Sequence, residues 1–259
     1  MCELLGMSAN VPTDICFSFS GLIKRGGETG SHEDGWGIAF YEGKGYRSFH
    51  DPVASADSEV AKFIQHYSIK STQVICHIRK ANRGRVCLEN THPFSRELWG
   101  QVWSFAHNGQ LKGIKKKPLN GYLPIGTTDS EYAFCWMLGR LRSEFPNKPT
   151  SKVQLRRFIQ TLYVEIAQLG VFNVLMGDAD NLYTYCTTKL SWLTRQAPFV
   201  EAKLLDADIC VDFKKETSST DVVTVIATEP LTSNEEWTKM VAGEFSVFCL
   251  GKKEFTGFG

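Results

Sequence analysis

The strongest constraint on this chain is the way its apolar residues are grouped. They fall into short runs rich in Val, Ile, Phe and Tyr: WGIAFYE (36–42), TQVICHIR (72–79), VWSFAHN (102–108), FNVLMGD (172–178), NLYTYCT (181–187), DVVTVIAT (221–228) and EFSVFCL (244–250). Gly, Asp or Asn bounds these runs, as expected for strands. Asp178-Ala179-Asp180-Asn181 reads as a tight turn between two of them. Longer stretches at 56–67, 129–145 and 151–169 carry helical character. In the second, Phe134, Met137, Leu138 and Leu141 recur at helical spacing, and Thr128 or Asp129 is placed to cap it. Many strands with a few long helices predict an α+β layered fold. Clean βαβ alternation is missing from the first half, and there is no GxGxxG, GxxxxGK[ST] or GxSxG, so dinucleotide and P-loop chemistry are not indicated.

The chain has 259 residues with a formal net charge of +1, which points to no polyanionic partner, neither nucleic acid nor an acidic membrane. Lys115-Lys116-Lys117 reads as a solvated loop. There is no apolar run of membrane-spanning length and no secretory leader pattern, so the expected location is cytoplasmic. The eight cysteines form no CxxC pair. Seven of them read as structural thiols, in keeping with a reducing compartment.

The exception is Cys2. If Met1 is removed, a thiol and a free α-amine share one residue. An α-amine has a pKa of about 7.7–8.0, so it can take a thiol proton near neutral pH. A second candidate is His107-Asn108-Gly109 at the end of a predicted strand. An Asn amide and the following Gly N–H are two donors suited to a developing oxyanion. The same pair is also the commonest strand-ending turn. His77 and Arg79 share one strand face, where the guanidinium is suited to clamping a carboxylate. Asp129 caps a helix and also suits an ammonium group. Cys76, His77, His92 and His107 match no zinc-ligand spacing, so no metal and no other cofactor is expected.

Taken in order, an N-terminal cysteine, DGWGIA (34–39), HIR (77–79), NTHPF (90–94), HNG (107–109) and TDSE (128–131) resemble the class II glutamine amidotransferases. In particular they resemble the short bacterial stand-alone members. The resemblance implies a four-layer αββα N-terminal-nucleophile hydrolase fold as a single domain over residues 1–259, with Cys2 at the start of a central strand. It implies Cys2 as nucleophile, Asn108 and Gly109 as oxyanion hole, Arg79 on the substrate carboxylate and Asp129 on its ammonium. His92 and His107, together with His77, would shape the pocket. The larger synthases often carry HxRY[ST]T. Here Arg79-Lys80-Ala81-Asn82 places Asn82 where a hydroxyl would help bind substrate. The activity implied is hydrolysis of glutamine, or of another γ-glutamyl amide, through a Cys2 thioester. The chain leaves no room for an acceptor domain, so an ammonia-accepting synthase would be a separate chain. The other reading is a non-catalytic module that senses glutamine or a γ-glutamyl ligand for a partner protein.

Overall fold

The computed structural model describes residues 2–81 and 84–259. In chain order the first elements are β1 (Glu3–Thr13), α1 (Cys16–Lys24), β2 (Trp36–Glu42), β3 (Gly45–Asp51), α2 (Glu59–His66), β4 (Ser71–Ile78), β5 (Phe94–Leu98) and β6 (Gln101–Leu111). They are followed by α3 (Asp129–Glu144), α4 (Lys152–Ala167), β7 (Gly170–Gly177), β8 (Leu182–Cys186), β9 (Ser191–Gln196) and β10 (Glu201–Lys203). The last are β11 (Cys210–Asp212), β12 (Val222–Ala227), β13 (Thr238–Lys239), β14 (Glu244–Cys249) and β15 (Lys252–Phe258).

Of the two large sheets, one runs β13-β9-β12-β1-β4-β2-β3 and the other β15-β14-β8-β7-β6-β5, while β10 and β11 form a separate two-stranded ribbon. Three apolar clusters define the layers. Leu5, Met7, Phe19, Leu22 and Ile64 pack α1 and α2 onto the first sheet. Phe105, Phe134, Leu138, Ile159 and Phe172 pack α3 and α4 onto the second. Between the sheets lie Leu4, Ile75, Ala106, Leu175 and Ile226. The order is αββα, as expected. Alternation along β1 shows why: Leu4 points to the facing sheet, while Leu5, Met7 and Ala9 point to the helices.

β1 pairs with β4 on one side and β12 on the other, with Leu5 opposite both Cys76 and Ala227. It is therefore central. Gly6 on this strand lets the two sheets approach, since a Cβ there would sit 3.1 Å from both Leu175 and Leu182 side chains.

The expected strands all form, with ends shifted by one to three residues. The 178–181 turn forms too, with Asp178 Oδ1 accepting from the N–H groups of Asp180 and Asn181 at 2.8 and 2.7 Å. The helix expected from 56 starts at Glu59, because the Ser58 hydroxyl caps it by accepting from Ala61 N–H. Asn108-Gly109 is not a turn: β6 runs on to Leu111, and the two residues pair with Asn173 and Phe172 of β7. The lysine run is not simple loop either. Ile114–Lys116 form a 3₁₀ turn, Lys115 Nζ donates to Thr127 O at 2.7 Å, and Lys117 pairs with Glu165. Of the seven cysteines read as structural, Cys76, Cys135, Cys186 and Cys249 are buried, but Cys16 and Cys87 are half-buried and Cys210 is exposed. No helix among the described residues is long and apolar enough to cross a membrane.

Filling the inter-sheet gap at Gly6 is costly, because both neighbouring leucines are fully buried. Gly6→Val is expected to lower the unfolding free energy by ~1–3 kcal/mol, measured by chemical denaturation.

Candidate active site

Cys2 immediately precedes β1, and its backbone N–H donates to Asn108 Oδ1 at 3.0 Å. This bond joins the two sheets. It also fixes the Asn108 amide, since only the oxygen end can accept. The Nδ2 end is buried and has no partner. A buried N–H without an acceptor is costly, so it marks a place where an acceptor belongs. Gly109 follows on β6. A Cβ there would come within 1.8 Å of Val171 O and 2.7 Å of His107 Nε2, which leaves space only for glycine.

The Cys2 thiol lies against the backbone just after β4. Its Sγ accepts from Lys80 N–H at 3.3 Å and lies 3.5 Å from Lys80 O. Burial pushes the thiol pKa up, and the Lys80 N–H partly opposes this. The thiol is therefore protonated near neutral pH and needs a base to react.

Arg79 is only 4% exposed. Its Nη1 donates to Arg85 O at 3.1 Å and Asp34 O at 3.4 Å, and among the described residues no carboxylate pairs with it. A buried guanidinium held by carbonyls keeps its charge available for an anion. Asp129 begins α3, directly after the Thr128 cap, whose hydroxyl accepts from Glu131 N–H at 3.1 Å. Its Oδ2 accepts from Leu111 N–H at 2.8 Å, which ties the end of β6 to the start of the helix.

His107 lies between Ser130 Oγ at 2.8 Å and Val171 O at 3.0 Å. A carbonyl only accepts, so Nε2 carries the proton and Nδ1 accepts from the serine. The His77 and His92 rings lie against each other at a 36° tilt, with centroids 4.2 Å apart, and their four ring nitrogens are buried without partners. Burial lowers the pKa of all three rings, that of His77 to about 3. They are neutral at physiological pH.

Cys2, Arg79, His92, His107, Asn108, Gly109 and Asp129 line one cavity of about 600 Å³. Every expected site residue among the described ones is there except His77, which backs onto His92. Asn82 and Met1 lie outside the described residues. Cys76 points to the helix side of its sheet, away from His77 on the inner side, and among the described residues no group of three His, Cys, Asp or Glu could hold a metal ion. Among the polar cavity residues that sequence reasoning did not assign to the site are Lys80, Lys112, Lys115 and Ser130. Lys80 and Ser130 had a signal, since one follows HIR directly and the other lies within TDSE. Lys112 and Lys115 depend on how β6 and α3 meet.

A thiol, an amide donor without a partner, a cation without a carboxylate partner among the described residues, and a carboxylate thus share one cavity. The model of the family "Glutamine amidotransferases class-II" matches residues 1–258, and the chain belongs to this family. It is 57% identical to "Putative glutamine amidotransferase YafJ" of Escherichia coli K12, over 98% of this chain and 99% of that one. A "predicted glutamine amidotransferase" from Pseudomonas aeruginosa has a similar structure, with a TM-score of 0.79 and 51% identity over 98% of this chain and 100% of that one. The Bacillus subtilis glutamine phosphoribosylpyrophosphate amidotransferase shares the fold at 13% identity, with a TM-score of 0.64 over 99% of this chain and 49% of that one. The fold is the four-layer αββα sandwich shared with these amidotransferases.

The depressed histidine pKa values couple stability to pH. Below about pH 6.5 the unfolded chain binds protons that the folded histidines refuse, so stability falls as pH drops from 6.5 towards 3. The thermal midpoint is expected to fall over this range. His92→Gln is expected to flatten the slope in thermal scans run across a pH series.

Proposed function

We propose that the chain, acting as one amidotransferase domain, hydrolyses the side-chain amide of glutamine, or of a γ-glutamyl compound, through a thioester on Cys2. The observation that carries this reading is the divided Asn108 amide: its oxygen is taken by Cys2 N–H, its Nδ2 is buried without a partner, and Asn108 and Cys2 line the same cavity.

The chemistry follows from the groups present. With Met1 removed, the Cys2 α-amine takes the thiol proton, directly or through a water. Sγ attacks the amide carbon. The resulting oxyanion accepts from Asn108 Nδ2 and Gly109 N–H. The C–N bond breaks, and ammonia or an amine leaves with the proton held by the α-ammonium. Water then attacks the thioester, and glutamate and the thiol are released. Arg79 takes the substrate α-carboxylate and Asp129 its α-ammonium, using the lone pairs that Leu111 N–H and Ser130 N–H leave over. His92 and His107 brace the wall as neutral rings. A synthase on a separate chain is the expected consumer where the released ammonia is used for transfer.

Cys2→Ala is expected to abolish glutamate release while retaining glutamine binding, and active protein is expected to lack Met1 by intact-mass analysis. Full turnover by Cys2→Ala would overturn the proposal. So would ligand stabilisation of the wild type with no glutamate release, which is the outcome for a sensing module. Asn108→Ala is expected to cut kcat by about 10²–10³ with a smaller change in KM, by steady-state kinetics. The acid limb of kcat/KM is expected at about pH 7.7–8.0, where the α-amine titrates. The three histidines titrate too low to produce it.

A further inference from the structure

The cavity carries more positive charge than glutamine can use. Among the described residues lining it are four cations, Arg79, Lys80, Lys112 and Lys115, against one carboxylate, Asp129. A glutamine zwitterion engages Arg79 and Asp129 and leaves three lysines. None of these three has a carboxylate partner among the described residues. Lys80 Nζ is held by Ser31 Oγ and Lys115 Nζ by the Thr127 carbonyl, both uncharged. Some lysines outside the cavity, Lys117, Lys148, Lys189 and Lys253, do meet carboxylates.

The position of these lysines follows the chain. Lys80 directly follows Arg79, and its backbone contacts the Cys2 thiol. The wall from the oxyanion donors Asn108 and Gly109 continues along β6 to Lys112 and then into the 3₁₀ turn with Lys115. The cavity, about 600 Å³, falls in the range of sites that hold ligands larger than one amino acid.

From this we infer that the preferred substrate is a γ-glutamyl amide whose amine portion carries an anionic group, a carboxylate or sulfonate, held by the lysine wall of Lys112 and Lys115. The inference rests on the amide-hydrolase reading above. The attachment point follows from that reading: the α-carboxylate and α-ammonium must stay free to meet Arg79 and Asp129. A further anion can then be carried only beyond the scissile bond. Lys112 and Lys115 are exposed enough that salt screens them, so the preference is strongest at low ionic strength.

The test measures binding and turnover separately. Binding of γ-glutamylglycine, γ-glutamyltaurine and neutral γ-glutamylethylamide to Cys2→Ala protein is measured by calorimetry at low salt. The two anionic amides are expected to bind about tenfold more tightly than the ethylamide. Adding Lys112→Gln and Lys115→Gln is expected to bring the three to near equality. In the otherwise wild-type enzyme, the same two lysine changes are expected to leave ethylamide hydrolysis unchanged. Equal binding of all three compounds, no binding of any, or a preference that survives the lysine changes would overturn the inference. A binding preference without hydrolysis of any amide by the wild type would instead overturn the hydrolase reading and leave the anionic preference standing.

Discussion

The site depends on one hydrogen bond between sheets, from the backbone N–H of Cys2 to Asn108 Oδ1. Its donor is at the edge of β1 and its acceptor is in the middle of β6, on opposing layers. The bond does two things at once. It holds the backbone nitrogen of the thiol-bearing residue in place, and it turns the asparagine so that the other end of the amide is left unpaired. Both effects require the sheets to sit at the correct spacing, and Gly6 permits that closeness. Packing between the layers and the chemistry of the site are therefore the same constraint.

The surroundings are arranged around charge. Three buried imidazoles remain neutral, so near the thiol they add dipoles and surface without adding cations. The buried positive charge at the site is that of Arg79, whose backbone N–H also donates to Gly35 O and whose side chain is held by carbonyls, while the lysines of the same cavity sit nearer solvent. A guanidinium fixed in a poorly solvated place needs little reorganisation to meet an anion.

Much of this was legible in the sequence, and the exceptions have physical causes. The inner strands announce themselves by Val, Ile and Phe, because both faces are covered. β1 does not, since Gly6, Ser8 and Asn10 interrupt its apolar residues, and its central place depends on two partners distant in sequence. Outer strands such as β3 and β15 alternate polar residues with half-buried ones and read as loop. The short helix α1, CFSFSGLIK, has weak helix formers and no side-chain cap, and it forms because it packs on the first sheet. For the candidate site, the order of HIR, HNG and TDSE singled out residues that the fold brings to one cavity. The sequence could not indicate which end of the Asn108 amide is occupied, that His77 lies against His92, or that Lys112 and Lys115 share a wall with Cys2.

The place of β1 in its sheet has a consequence for biosynthesis. Its partner β4 ends at Ile78, but its other neighbour, β12, begins only at Val222. A ribosome making this chain must finish most of it before the strand carrying Cys2 can be enclosed on both sides. Until then one edge of β1 stays open, and the setting of Cys2 is completed only when the chain from Val222 onward pairs with it.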